Sequence, residues 1–320
     1  MSRYQTLTVT TTVATLILIA IGAVVRTTES GLGCPDWPLC HGSLIPPAER
    51  TAIIEYTHRT VASVVGVLIV VTAFLTLRRH RNDAAMRGLA VASLPLLALQ
   101  AWLGKVTVER ELPAEVVALH LATALILLSM LSLIAVFALQ GPNRTRIDTP
   151  ERRSFAKVAL VAAAVTAGVV LIGSYVVGTN AGYACTSWPG CVEAQAPFID
   201  GGRLQDIHWL HRFTVVIGLV AIAAVAVRTY LMQEAGETLR ASVAALVGLY
   251  LLQILVGALN IWSGFATAVL VAHLAIGSAI WALLVVLAIA GRYRAGVPEP
   301  SSAGAPARGE PAREAGGASA

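Results

Sequence analysis

Residues 55–77 read EYTHRTVASVVGVLIVVTAFLTL: a glutamate, a histidine and an arginine within five positions, then an uninterrupted apolar run that ends at Arg78. About 20 apolar residues are what a helix needs to cross the hydrocarbon core of a bilayer. Only a helix or a closed barrel satisfies its backbone there, and this run is far too long for a barrel strand. Residues 55–77 therefore read as a membrane-spanning helix with three ionisable groups at its mouth.

The rest of the chain repeats the pattern. Apolar runs occur at 7–25, 53–77, 88–105, 114–139, 155–178, 206–231, 240–262 and 266–290. Of 320 residues, 56% are hydrophobic and only 13% charged, where a soluble domain carries about 25% charged residues. The first run has a single preceding arginine, Arg3, and meets Arg26 with no small-residue cleavage site, so it reads as a retained helix rather than a signal peptide. Pro95 is expected to kink the third run, which neighbouring helices can accommodate.

Basic residues in the short connections orient the helices. With a cytoplasmic N-terminus, one face carries Arg3, Arg78, Arg79, Arg81, Arg87, Arg144, Arg146, Arg152, Arg153, Lys157, Arg228, Arg240, Arg292 and Arg294. The other carries Arg26, Arg50, Arg59, Lys105, Arg110, Arg203 and Arg212. Fourteen against seven puts both termini in the cytoplasm of a cell with a plasma (bacterial-type) membrane, so the net charge of +5 reports topology and not nucleic-acid binding. Residues 295–320, rich in Pro, Gly and Ala, read as a disordered tail.

Two halves of the chain match each other. GCPDWPLC (33–40) corresponds to ACTSWPGC (184–191) at an offset of 151. EYTHR (55–59) corresponds to HWLHR (208–212), QAWLG (100–104) to QILVG (253–257), and His120 to His273, each at 153. Each unit holds four spans, an even number, so the two units have the same orientation, a parallel repeat about an axis along the membrane normal. The expected fold is an all-α integral membrane protein, eight transmembrane helices in two four-helix bundles. Its parts are 1–142, a linker 143–154, 155–292 and a tail 293–320.

His58, His120, His211 and His273 lie five or so residues into spans two, four, six and eight. Those spans all start at the outer face, so the four share one depth near it. An ionisable residue embedded in the membrane points to function. Facing histidines on two helices of a bundle suit axial ligation of haem iron, and small residues nearby (Ala122, Thr123, Ala124, Ala275 and Gly277) leave room for a flat macrocycle. A closed zinc site wants four ligands, usually with thiolate or carboxylate. One bis-histidine haem site per half is the better reading, with Arg59 and Arg212 able to reach a haem propionate or snorkel to the interface. His80, in a basic connection, and His41, beside Cys40 in an outer loop, read as loop residues.

Cys34, Cys40, Cys185 and Cys191 are the only cysteines. Four allow three pairings; the equal spacing in the two copies favours Cys34–Cys40 and Cys185–Cys191, in outer loops where disulfides persist.

Taken together, these motifs resemble the haem A synthase family: E-x-x-H-R in helix 2, H-R in helix 6, a histidine each in helices 4 and 8, and outer-loop cysteine pairs. The resemblance covers residues 7–292 and implies an oxidoreductase that turns a methyl group of haem O into a formyl group for terminal oxidase assembly. It implies that His211 and His273 ligate a resident haem b, that His58 and His120 receive the substrate haem, and that Glu55 is the catalytic carboxylate. It also implies a haem O synthase and an electron donor, such as a quinol, as partners beside the lipid bilayer; association into a homo-oligomer is open. The repeat supports this division of labour. Position 208 holds His208 where the first half has Glu55, and Val177 and Ala258 stand where the first half has Arg26 and Lys105. A glutamate one turn from a ligand histidine shares its helix face and can exchange protons beside the macrocycle. Two other readings compete: a bis-histidine dihaem cytochrome that only carries electrons, and a transporter or haem-handling protein, of which a transporter would place its polar groups nearer the midplane.

Overall fold

The computed structural model describes residues 1–192, 198–199, 202–233 and 235–294. The expected disordered tail at 295–320 lies outside them. Among the described residues are eight helices long and apolar enough to cross a membrane, so the chain is an all-helical, multi-pass membrane protein. They are α1 (Arg3–Thr27), α2 (Arg50–Arg79), α3 (Ala84–Glu109), α4 (Ala114–Gln140), α5 (Pro150–Gly178), α6 (Arg203–Leu231), α7 (Glu237–Trp262) and α8 (Thr267–Ala290). Three starts are capped by side chains that the sequence supplies at the boundary: Ser2, Asp83 and Thr149 accept the N–H groups of Gln5, Met86 and Arg152, satisfying donors that a helix start leaves unpaired. Helix α3 runs on through Pro95.

In the first half α1 packs on α2 and α4, and α3 packs on α2 and α4, closing a ring; α5 to α8 close a second ring in the same order. The rings meet through α1 against α8 and α4 against α5 and α8. That central position explains why α4 is the most buried span, with Leu125, Leu128, Leu131 and Ile134 inside. Trp281 of α8 donates its indole N–H to the Leu125 carbonyl at 3.0 Å.

The matching seams of the two rings are built from different chemistry. Between α1 and α2, Tyr4 pairs with Thr76 at 2.8 Å and Thr11 with Thr72 at 2.9 Å. The repeat places Phe155, Ala159, Ala162 and Val225 where the first half has Tyr4, Thr8, Thr11 and Thr72, and all four are buried apolar side chains. Lipid offers no hydrophobic drive between helices, so small residues and hydroxyl pairs are two alternative ways to hold a seam.

A feature the hydropathy pattern does not show closes the face that carries the N-terminus. A two-residue strand, β1 (Thr145–Arg146), pairs antiparallel with β2 (Tyr293–Arg294). Arg292 bonds Asp148 at 2.5 Å and Arg152 donates to the Gly291 carbonyl at 2.7 Å, so the link between the halves is fastened to the end of α8.

Candidate haem-binding and catalytic site

Each of the four membrane histidines backs onto a glycine of the preceding helix. A Cβ built on Gly22 would lie 3.3 Å from Cε1 of His58, on Gly104 3.3 Å from that of His120, and on Gly257 3.2 Å from that of His273. On Gly173 it would lie 2.9 Å from Cε1 of His211, closer than real Cβ contacts come. The rings thus occupy tight notches at glycines, where a Cβ would force the ring to shift, most of all at Gly173. Among the described residues the Nδ1 atoms of all four are buried and without a hydrogen-bond partner. The Nδ1 of His208 is a fifth such atom. On each of the four rings the glycine lies nearer Nδ1 than Nε2, so Nε2 is the nitrogen left to meet a ligand.

The donor set fits haem. The rings of His211 and His273 lie 6.5 Å apart, centre to centre, with planes at 74°. Two imidazoles on opposite sides of one metal ion, each nitrogen about 2 Å from it, put their centres roughly 6 Å apart. No cluster of three or more His, Cys, Asp or Glu suited to a metal ion occurs among the described residues, which favours two axial ligands over a closed zinc site. A cleft brings these two histidines together with Arg26, Asn180, His208 and Asn260. The buried Oδ1 of Asn260 has no partner among the described residues.

Arg26 is on this cleft, not beside His58 and His120, where its place in the first half had suggested it would act. Its Nη2 donates to the carbonyls of Val177 and Gly178, at 3.4 and 3.2 Å, at the end of α5. The packing of α1 on α8 makes this crossing between halves, which the repeat alone does not reveal. Lys105, next to Gly104, forms an exposed pair with Glu109 at 3.4 Å.

Arg59 and Arg212 hold loops. Arg59 donates from Nη1 to the carbonyls of Asp36 and Leu39, at 2.6 and 2.8 Å, and from Nη2 to that of Cys34 at 2.7 Å. Arg212 likewise donates to the carbonyls of Pro189, Gly190 and Ser187. Each guanidinium fills a loop closed by a disulfide, Cys34–Cys40 or Cys185–Cys191, with S–S distances of 2.01 and 1.98 Å. Both guanidiniums anchor their loops in this geometry, for which a planar fork of donors is well suited. In the first loop Asp36 also accepts the N–H groups of Gly42 and His41, at 2.7 and 2.6 Å; these bonds, that from Gly42 foremost, hold its carboxyl below the usual carboxylate range.

Glu55 joins the first loop to the helix that carries His58. It is 3% exposed; Oε2 accepts the Cys34 N–H at 2.9 Å and Oε1 accepts from Arg59 at 2.5 Å. At the matching position in the second half, His208 is buried in the cleft. His41 sits at the surface with Nε2 3.1 Å from the Gly33 carbonyl, and His80 packs on Tyr4 with ring centres 5.3 Å apart and planes tilted by 40°, both away from the four notches.

The family profile described as cytochrome oxidase assembly protein, COX15-CtaA, matches residues 5–53 and 48–285. The chain is 30% identical over 231 residues to the heme A synthase of Bacillus licheniformis, spanning 70% of this chain and 76% of that one. It is 28% identical over 302 residues to the heme A synthase of Shewanella oneidensis, spanning 82% and 89%, and 31% identical over 237 residues to that of Geobacillus thermodenitrificans, spanning 70% and 72%.

Proposed function

The chain belongs to the COX15-CtaA family of cytochrome oxidase assembly proteins, and from that membership we propose that it converts haem O to haem A, oxidising one methyl group to a formyl group through an alcohol and a hydrated aldehyde. The observation that carries the reading is the pair His211 and His273, 6.5 Å apart and each backed by a glycine.

In this account residues 155–292 form the cofactor half. His211 and His273 hold haem b, and Arg26, reaching across from α1, offers a cation to one of its carboxylates. Bound there, haem b supplies a one-electron redox centre. Residues 1–142 form the substrate half, in which His58 and His120 take the iron of haem O. Glu55 accepts and returns protons at the methyl group under oxidation. Arg59 and the Cys34 N–H fix the direction of its carboxylate, so the disulfide-closed loop positions the base. The excess of basic residues on one face supports a reading with both termini in the cytoplasm and both haem sites toward the outer face. A haem O synthase would supply the substrate. Each two-electron hydroxylation of the methyl group would take one oxygen atom from an oxidant of the dioxygen class, the other atom leaving as water with two electrons from a quinol-type donor and two protons.

One observation favours a second reading, a dihaem cytochrome that only carries electrons: both oxygens of Glu55 are engaged by Arg59 and Cys34, as a structural carboxylate would be. Pigment extraction from cells that make this protein and are supplied with haem O separates the two. Haem A in the extract supports the enzyme; unchanged haem O supports the electron carrier.

A further inference from the structure

The two halves treat the same glutamine differently. In the first, the side-chain amide nitrogen of Gln100 lies 3.3 Å from Nε2 of His120, and the hydroxyl of Thr123 donates to the Gln100 carbonyl oxygen. Thr123 is 5% exposed and lies three residues after His120, on the same face of α4. In the second half Gln253 stands where Gln100 does, but its amide donates to the backbone carbonyl of His273 at 2.8 Å. Its Oε1 is buried with no partner among the described residues. Ile276 occupies the place of Thr123, so no hydroxyl stands there to hold the glutamine toward the ring.

We propose that Gln100 and Thr123 form a latch that competes with iron for the ring nitrogen of His120, making ligation reversible in the first half, while Gln253 and Ile276 leave His273 free to hold its ligand permanently. On binding, His120 exchanges the hydrogen bond from Gln100 for a bond to iron; on release the hydrogen bond re-forms, and no proton changes owner. A substrate that must leave as product requires such an exchange, and a resident cofactor is better held without it. The inference rests on the reading of the first half as the substrate half.

The test is transfer of ferric haem from hemin-loaded, detergent-solubilised protein to excess apomyoglobin, followed by absorbance. The wild type is expected to release haem in two phases, the faster one missing in His120→Ala. Removing the latch by Gln100→Leu, or by the near-isosteric Thr123→Val, is expected to slow the fast phase about fivefold, the worth of one ordinary hydrogen bond, and to leave the slow phase alone. Ile276→Thr is expected to quicken the slow phase. An unchanged or quickened fast phase in both Gln100→Leu and Thr123→Val overturns the latch. A wild-type trace from which His120→Ala removes nothing overturns the assignment of the first half as a haem site, and the latch with it.

Discussion

Glu55 accepts the backbone N–H of Cys34 at 2.9 Å, so the carboxylate assigned to the chemistry is fastened to a disulfide-closed loop. Opening that loop with Cys34→Ser and Cys40→Ser is expected to displace the carboxylate and lower conversion of haem O by about 100-fold, as misplaced catalytic groups do. The content of haem b, measured from the reduced spectrum, should stay near the wild-type level. The paired change Cys185→Ser and Cys191→Ser should act the other way, on haem b content first.

The four glycine notches are not equally tight. Gly173→Ala puts a methyl group 2.9 Å from His211 Cε1, against 3.2 Å for Gly257→Ala at His273. Haem b per protein should therefore fall more in Gly173→Ala than in Gly257→Ala, and Gly22→Ala should leave it unchanged. Quantifying pyridine haemochrome in the purified variants checks the order.

Arg59→Ala removes the cation from a buried carboxylate and four donated hydrogen bonds from the first loop and Glu55. Breaking one side of a buried pair costs about 3 kcal/mol or more, so a clear drop in thermal midpoint in detergent is expected. Arg59→Lys should recover only part of it, since an ammonium cannot reproduce the fork.

The hydroxyl seam is a milder matter. Thr11→Val or Thr72→Val removes one interhelical hydrogen bond of 2.9 Å, and such bonds within membranes are worth about 0.6 kcal/mol. Each variant should lose well under half of what Arg59→Ala loses in the same unfolding assay.

All eight spans were legible from hydropathy, but all the helices except the eighth extend past the apolar runs: 53–77 becomes Arg50–Arg79 and 88–105 becomes Ala84–Glu109. Hydropathy marks the part that crosses hydrocarbon, whereas backbone hydrogen bonding continues into the interface. The histidines stood out because ionisable groups are rare in such runs, and the cysteine pairs because they are the chain's only four cysteines and keep one spacing in both copies. Their glycine partners did not, since a glycine in an apolar run carries no side-chain signal; only the offsets of Gly22 to Gly173 and Gly104 to Gly257, 151 and 153, could have marked them. The place of Arg26 depends on how α1 meets the second ring, and the anchoring by Arg59 and Arg212 on how the loops fold back. A repeat alignment contains neither.

The most direct test of the account is haem analysis of Glu55→Ala beside the wild type, both produced with a haem O supply. The wild type should yield haem A and haem b, and the variant haem b with unconverted haem O. Haem A from Glu55→Ala at the wild-type level would contradict the assignment of the chemistry to Glu55.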